Sequence, residues 1–139
     1  TEGQEIVADY ASLGLSLRRH PLALLRGQLR RRGLLPATEA AARPHGARVR
    51  AGGLVITRQH PASAQDVTFV TLEDETGHLN LVVWKALAER QRRVLIGARL
   101  LGVDGEVQRE GEVVHVVARR LYDHSALLGG LIATSRDFR

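Results

Sequence analysis

The feature that most constrains this chain is a change in the spacing of its apolar residues near residues 44–47. Before that point apolar residues recur every three to four positions, as in Leu22, Leu25 and Leu29, which is typical of one face of a helix. After it they alternate with polar residues, as in FVTLEDETGHLNLVVW at residues 69–84, which is typical of β-strands. The sequence therefore predicts a helical segment followed by a β-rich domain.

Five alternating segments follow the change, and turn-forming residues separate them. We predict strands at residues 48–60, 66–74, 78–84, 98–108 and 112–123. The stretch LAERQRRVL predicts a short helix between the third and fourth strands, and Gly52-Gly53 permits a sharp bend in the first. Three strands, a short helix and two strands is the order of the OB-fold, a five-stranded Greek-key barrel. A five-stranded barrel of another topology is the alternative, but the helix position favours the OB-fold.

The predicted fold class is therefore mainly β, with a helical N-terminal extension. We assign residues 1–45 to a helical segment, residues 46–125 to the OB-fold domain and residues 126–139 to a loosely held tail. The apolar stripe of Leu22, Leu25 and Leu29 needs a partner, because a helix this short is marginal alone in water. We expect it to pack on the barrel.

The distribution of charge limits how the barrel binds a polyanion. The chain carries a net charge of +5, of which residues 1–45 supply +3 and residues 46–125 only +1. Binding of nucleic acid by the barrel must therefore depend on a local patch of charge. Arginine dominates the basic residues, since Lys85 is the single lysine, and arginine binds phosphate through two parallel hydrogen bonds.

Composition also sets expectations about location and processing. The chain has no cysteine, so it has no disulfide and no thiolate metal site. It has no apolar run of membrane-spanning length and no signal-peptide pattern, so we expect a cytoplasmic protein without membrane contact. It begins at Thr1 and has no methionine. We expect a fragment of a longer protein.

Motifs for catalysis are missing from the sequence: it has no nucleophile triad, Walker loop or dinucleotide fingerprint. The six histidines lack metal-ligand spacing. The acidic run Glu73-Asp74-Glu75 suggests Mg²⁺, but consecutive strand residues point to alternating faces. Asp74 is better explained as a turn residue that bonds backbone amides. We expect no catalytic residue, metal, cofactor or small-molecule substrate.

The outer face of the predicted 66–84 hairpin is the candidate site. Alternation places Val70 and Leu72 inside the barrel with Leu79, Leu81 and Val83, and it places Asn80, Val82 and Trp84 on the opposite face. An outward aromatic ring beside polar groups suits single-stranded nucleic acid, because the ring stacks on a base. The candidate residues are Arg58, Phe69, Thr71, Asn80 and Arg109. The alternative is that Phe69 packs under a loop or under the N-terminal helices.

Two blocks of sequence resemble a known family. VRAGGLVITRQHPASAQDVTFVTLEDETGHLNLVVW, with Gly53, Arg58, Phe69, Asp74 and Gly77 at the matching positions, resembles the OB module of anticodon-binding domains and of bacterial DNA polymerase III α subunits. DYASLGLSLRRHPLALLR resembles the segment that joins the helix–hairpin–helix region of those polymerases to the OB domain. The Arg-rich second half and the terminal SRDF look most like the error-prone α-subunit type.

The resemblance implies a non-catalytic, C-terminal OB module of a damage-tolerant DNA polymerase whose catalytic palm is absent from this chain. It implies single-stranded template DNA as the ligand, with Phe69 stacking on a base and Arg58 holding an adjacent phosphate; Asn80 and Arg109 are added from strand geometry. The alternative is a protein-interaction module that docks mutagenesis accessory proteins. An enzyme in its own right is a third, minor possibility.

Overall fold

The structure, a computed structural model, describes residues 20–61 and 66–129. In these residues, two helices precede the barrel and two short helices interrupt it. In chain order the elements are α1 (Pro21–Arg31), α2 (Ala37–Ala41), β1 (Arg48–Gln59), β2 (Val67–Asp74), β3 (Gly77–Trp84), α3 (Lys85–Arg90), α4 (Arg92–Gly97), β4 (Leu100–Glu110) and β5 (Val113–Asp123). The five strands lie within two residues of their predicted positions.

The strands form a closed barrel in the order β1-β2-β3-β5-β4. All neighbouring pairs are antiparallel except β3 and β5, which close the barrel through the parallel pairs Leu81–Val116 and Val82–Val117. This Greek-key order, with helices between β3 and β4, is the OB-fold that the sequence predicts.

The paired glycines let β1 serve both halves of the barrel. Its first half pairs with β4 as far as Leu54–Leu100, and its second half pairs with β2 from Leu54–Glu73 onward. A Cβ on Gly53 would lie 2.9 Å from the carbonyl oxygen of Glu73. A side chain there would force β1 and β2 apart, so glycine is required where β1 changes its partner.

Aliphatic side chains fill the barrel, as alternation predicts. The inward residues of the β2–β3 hairpin, Val70, Leu72, Leu79, Leu81 and Val83, are all at most 2% exposed. Small helices supply further members of the same core: Ala37 and Ala40 from α2, Leu87 from α3 and Leu95 from α4.

The single predicted helix between β3 and β4 is two short helices that meet at Gln91. The Gln91 side chain donates to the carbonyl of Leu121 at 2.8 Å and accepts from the Leu121 amide at 2.7 Å. This side-chain pairing with β5 fixes the junction against the barrel, and hydrophobic spacing alone does not predict it.

A second apolar core confirms that α1 packs on the barrel. Leu22, Leu25 and Leu29 lie against Leu54 of β1 and Leu100 of β4. Leu128 joins them and is 1% exposed, so the prediction of a loosely held tail is wrong for residues 126–129, because an apolar side chain there completes this core. Residues 1–19 and 130–139 lie outside the described residues.

The β2–β3 turn confirms the role expected of Asp74. Its Oδ1 accepts from the Thr76 amide at 2.8 Å, the Thr76 hydroxyl at 2.6 Å and the Gly77 amide at 3.2 Å. Within residues 20–61 and 66–129 there is no cluster of metal-binding side chains. The same residues hold no helix long and apolar enough to cross a membrane.

Candidate nucleic-acid interface

Three of the predicted site residues lie together on the outer face of β2 and β3. Thr71 pairs directly with Asn80, and its hydroxyl donates to the Asn80 side-chain oxygen at 3.2 Å. Phe69 lies two residues before Thr71 on the same face and is 39% exposed. Its ring is therefore accessible to solvent, and neither α1 nor a loop of the described residues buries it.

Trp84 belongs to the same face and is 52% exposed. It lies two residues beyond Val82, the direct partner of Phe69, so the two rings are diagonal neighbours, a spacing that aromatic side chains can bridge. Alternation assigned Trp84 to this face without selecting it for the site. The chain has five aromatic residues. This scarcity was the signal that would have identified Trp84.

The turn end of this face carries negative charge. Glu73 Oε2 lies 3.1 Å from His78 Nε2, and Glu73 Oε1 lies 3.0 Å from His20 Nε2. His20 Nδ1 accepts from the Leu22 amide at 3.1 Å, so Nε2 carries the hydrogen that reaches Glu73. Burial opposes ionisation, but the hydrogen bonds from His78 and His20 hold the pKa of Glu73 below its usual value. An ionised carboxylate repels phosphate, which favours the Phe69–Trp84 end for a polyanion.

Arg58 lies on the opposite face of the sheet from Phe69. It pairs with Val70, an inward-facing residue, and its guanidinium donates to the carbonyls of Leu95, at 2.6 Å, and Ala98. Burial lowers the pKa of Arg58. The expected arrangement, with Arg58 holding a phosphate next to Phe69, is therefore not found, because Arg58 instead satisfies the last carbonyls of α4.

Arg109 also lies apart from the Phe69 face. Its guanidinium donates to the carbonyls of Ala41 at 2.6 Å and Arg43 at 2.9 Å, and its amide donates to His45 Nδ1 at 3.0 Å. Arg109 thus ties the β4–β5 hairpin to the C-terminal end of α2. The structure gathers Phe69, Thr71 and Asn80 and separates both arginines from them.

A cleft of about 400 Å³ opens between the start of β2 and the helices α3 and α4. It begins beside Trp84, since Val67, the partner of Trp84, forms part of its wall. Its apolar lining residues are Val67, Ala88, Leu95 and Ile96, and its charged lining residues are Arg58, Asp66, Lys85, Glu89 and Arg92. In the described part of the chain Lys85 and Arg92 form no ion pair, so both ammonium and guanidinium are available to a ligand.

The tRNA anti-codon family, described as an OB-fold nucleic acid binding domain, matches residues 49–123. Among curated proteins, the chain is similar to the error-prone DNA polymerase of Alkalilimnicola ehrlichii, with 63% identity over 137 residues. It is 61% identical over 137 residues to the error-prone DNA polymerase of Azoarcus sp.. Each match covers 99% of this chain and 13% of the polymerase. These matches confirm the resemblance found in the sequence.

Solved structures agree on the fold. Asparaginyl-tRNA synthetase from Pyrococcus horikoshii superposes with a TM-score of 0.53 at 21% identity, over 66% of this chain and 22% of the synthetase. An OBody bound to hen egg-white lysozyme superposes with a TM-score of 0.55 at 14% identity, over 66% of this chain and 91% of the OBody. The chain spans about an eighth of the length of the polymerases it matches.

Proposed function

We propose that this chain, which belongs to the family of OB-fold nucleic acid binding domains, binds single-stranded DNA on the outer face of β2 and β3. The observation that carries the proposal is the pair of exposed aromatic rings, Phe69 and Trp84, on one face of the barrel. Base–aromatic stacking uses such rings without selecting sequence, because every base has a π-face.

The remaining groups on this face fit the same role. The Thr71 hydroxyl and the Asn80 amide lie next to Phe69 and offer hydrogen bonds to base edges. Lys85 and Arg92 line the adjoining cleft, and we expect them to contact the phosphates of a strand that passes Trp84. Since the relatives are error-prone DNA polymerases, we propose that the strand is the single-stranded template of damage-tolerant synthesis.

Trp84 is the only tryptophan of the chain, so its fluorescence reports directly on this face. Titration with an oligothymidylate should quench it as a base stacks on the indole. Phe69→Ala should weaken binding about 5- to 150-fold, because one base–aromatic stack contributes ~1–3 kcal/mol. Leu24→Ala, which truncates an equally exposed apolar residue on α1, is the control and should bind as the unmodified chain does. Unchanged fluorescence and unchanged affinity in Phe69→Ala would exclude this face.

A second candidate function is the docking of another protein, such as a mutagenesis accessory protein. One observation favours it: the outward residues of β2 and β3 include the exposed rings of Phe69 and Trp84 but no lysine or arginine. An OB-fold solved in complex with lysozyme has a barrel of the same kind. If oligonucleotides leave the Trp84 emission unchanged at low salt, the protein-docking function becomes the better one.

A further inference from the structure

The arginines missing from the β2–β3 face are concentrated on the other side of the barrel. On the outer face of β1, β4 and β5 two rows cross the three strands. In the first row Asp104 of β4 lies between Arg50 of β1 and Arg120 of β5. In the second, Glu106 pairs with Arg48 of β1 and accepts from Arg119 of β5.

Each row places one carboxylate between two guanidinium groups, so each row keeps an excess positive charge. Arg50 donates to Asp104 through Nε at 2.6 Å and Nη2 at 3.1 Å. Arg119 donates to Glu106 at 3.2 Å. Arg48 and Arg120 form no ion pair within the described residues. The carboxylates thus hold one arginine of each row in place and leave the other available.

An aromatic ring orders the first row further. Arg50 and Arg120 lie over the Tyr122 ring, 5.3 and 5.2 Å from its centroid, and the Tyr122 hydroxyl donates to Asp104 at 2.7 Å. Two guanidinium groups fixed on one ring lose less conformational freedom when they bind phosphate than free side chains do.

The open part of this face has a clear border. Leu54 and Leu100, at one end of the β1–β4 pairing, are covered by α1. Next to them Leu34 and His124 lie over Gly102, which has no side chain of its own. Beyond these residues, all four arginines of the two rows are exposed.

The two arginine rows account for the whole net positive charge of residues 46–125. Residues 46–125 carry eleven basic and ten acidic residues. Without Arg48, Arg50, Arg119, Arg120, Asp104 and Glu106 the same segment holds seven basic and eight acidic residues. The rest of the barrel is therefore slightly negative, and its attraction for a polyanion lies on this face.

We propose that the two arginine rows form a second nucleic-acid contact, which binds the phosphodiester backbone of single-stranded DNA on the side of the barrel away from Phe69. Arginine matches the geometry of phosphate through paired N–H donors. The identity of the strand rests on the proposed function, but the contact does not require the β2–β3 face. It binds by charge, whereas Phe69 and Trp84 bind by stacking.

The test is the salt dependence of oligothymidylate binding, measured by fluorescence anisotropy of a labelled strand. Each phosphate contact to single-stranded DNA adds ~0.7 to the slope of log affinity against log salt. Arg48→Ala/Arg120→Ala should therefore reduce the slope by about 1.4. Arg48→Lys/Arg120→Lys, which keeps the charge, should retain most of it.

Arg90→Ala/Arg93→Ala removes the same charge from the exposed surface of α3 and α4 and is the matched control. This control should reduce the slope by less than half of the reduction expected for Arg48→Ala/Arg120→Ala. An unchanged slope in Arg48→Ala/Arg120→Ala, or an equal reduction in the control, overturns the proposal. The Arg48 side chain forms no hydrogen bond or ion pair with the described residues. If the double variant unfolds, Arg48→Ala alone gives the same test, with about half the expected change in slope.

The two proposals fail in different ways. If Phe69→Ala loses affinity and keeps the slope of log affinity against log salt, the stacking face is supported. The arginine rows are then tested by the arginine variants alone. A flattened slope in Arg48→Ala/Arg120→Ala together with no effect of Phe69→Ala would retain the arginine rows and reject the β2–β3 face.

Discussion

At the scale of single residues, Asp74 connects the β2–β3 turn to α1 and α2 through its carboxylate. It is 3% exposed. Beyond its bonds within the turn, its Oδ2 accepts from the Ala37 amide at 2.7 Å and from Arg26 at 3.1 Å. Asp74→Ala would leave the Arg26 guanidinium and the Ala37 amide without the carboxylate that accepts from them. The loss should lower the unfolding free energy by about 3–5 kcal/mol. Urea denaturation measures the loss, and Glu89→Ala on the exposed surface of α3 is the control, expected within about 0.5 kcal/mol of the unmodified chain.

Glu75 makes part of the stability depend on pH. The hydrogen bond from Arg26 holds its pKa below the usual value, against the opposing effect of burial. Because the pKa is lower in the folded than in the unfolded chain, this contribution is complete above about pH 5 and is lost as pH falls below ~4.3. Glu75→Gln should therefore be less stable than the unmodified chain at pH 7. This gap, the difference in their unfolding free energies, should narrow at pH 3. Urea denaturation at both pH values gives the two gaps, and equal gaps would contradict this assignment.

At the scale of elements, the sequence predicts those features that follow from the spacing of apolar residues. The prediction fails in β1, where one extra residue shifts that spacing. The register of β1 against β2 shifts between Val55 and Thr57, so Ile56 is an extra residue, a β-bulge. An uninterrupted strand would place Arg58 opposite Phe69 on the outer face. The bulge reverses the alternation after it, which turns Arg58 toward the carbonyls of α4. Nothing in the letters RVRAGGLVITRQ marks Ile56 as the bulged residue.

The docking of α1 was predictable because three leucines form one stripe, and it gives a second test at this scale. Leu29 is fully buried in the core shared with Leu54 and Leu100. Leu29→Ala should cost about 2–5 kcal/mol. Because this core is separate from that of the barrel, amide exchange in Pro21–Arg31 should accelerate while β2 and β3 stay protected. Equal acceleration in helix and barrel would show instead that the two cores unfold as one unit.

At the scale of the whole molecule, the closed barrel brings together charges that are far apart in the chain. Arg50 and Asp104, an ion pair on β1 and β4, are 54 residues apart. The sequence predicted that the nearly neutral barrel needs a local patch of charge, but it could not locate that patch. Its position depends on which strands become neighbours and on their register. The stacking face, in contrast, lies within one hairpin, and alternation alone predicted Phe69, Thr71 and Asn80.

The two proposed contacts lie on opposite outer faces of one barrel, and this placement predicts how their effects combine. Sites that share no residue usually have additive free energies, within about 0.5 kcal/mol. For an oligothymidylate long enough to reach both faces, the losses in Phe69→Ala and Arg48→Ala/Arg120→Ala should therefore add in the triple variant. A tetranucleotide reaches one face at a time, since a single OB-fold binds about 4–16 nucleotides. With it, Phe69→Ala should shift the quenching of Trp84 to about 5- to 150-fold higher oligonucleotide concentrations, and the arginine variant should leave that quenching unchanged. A coupling above about 1 kcal/mol, measured by a double-mutant cycle on the long strand, would mean that the rings and the arginines form one continuous site.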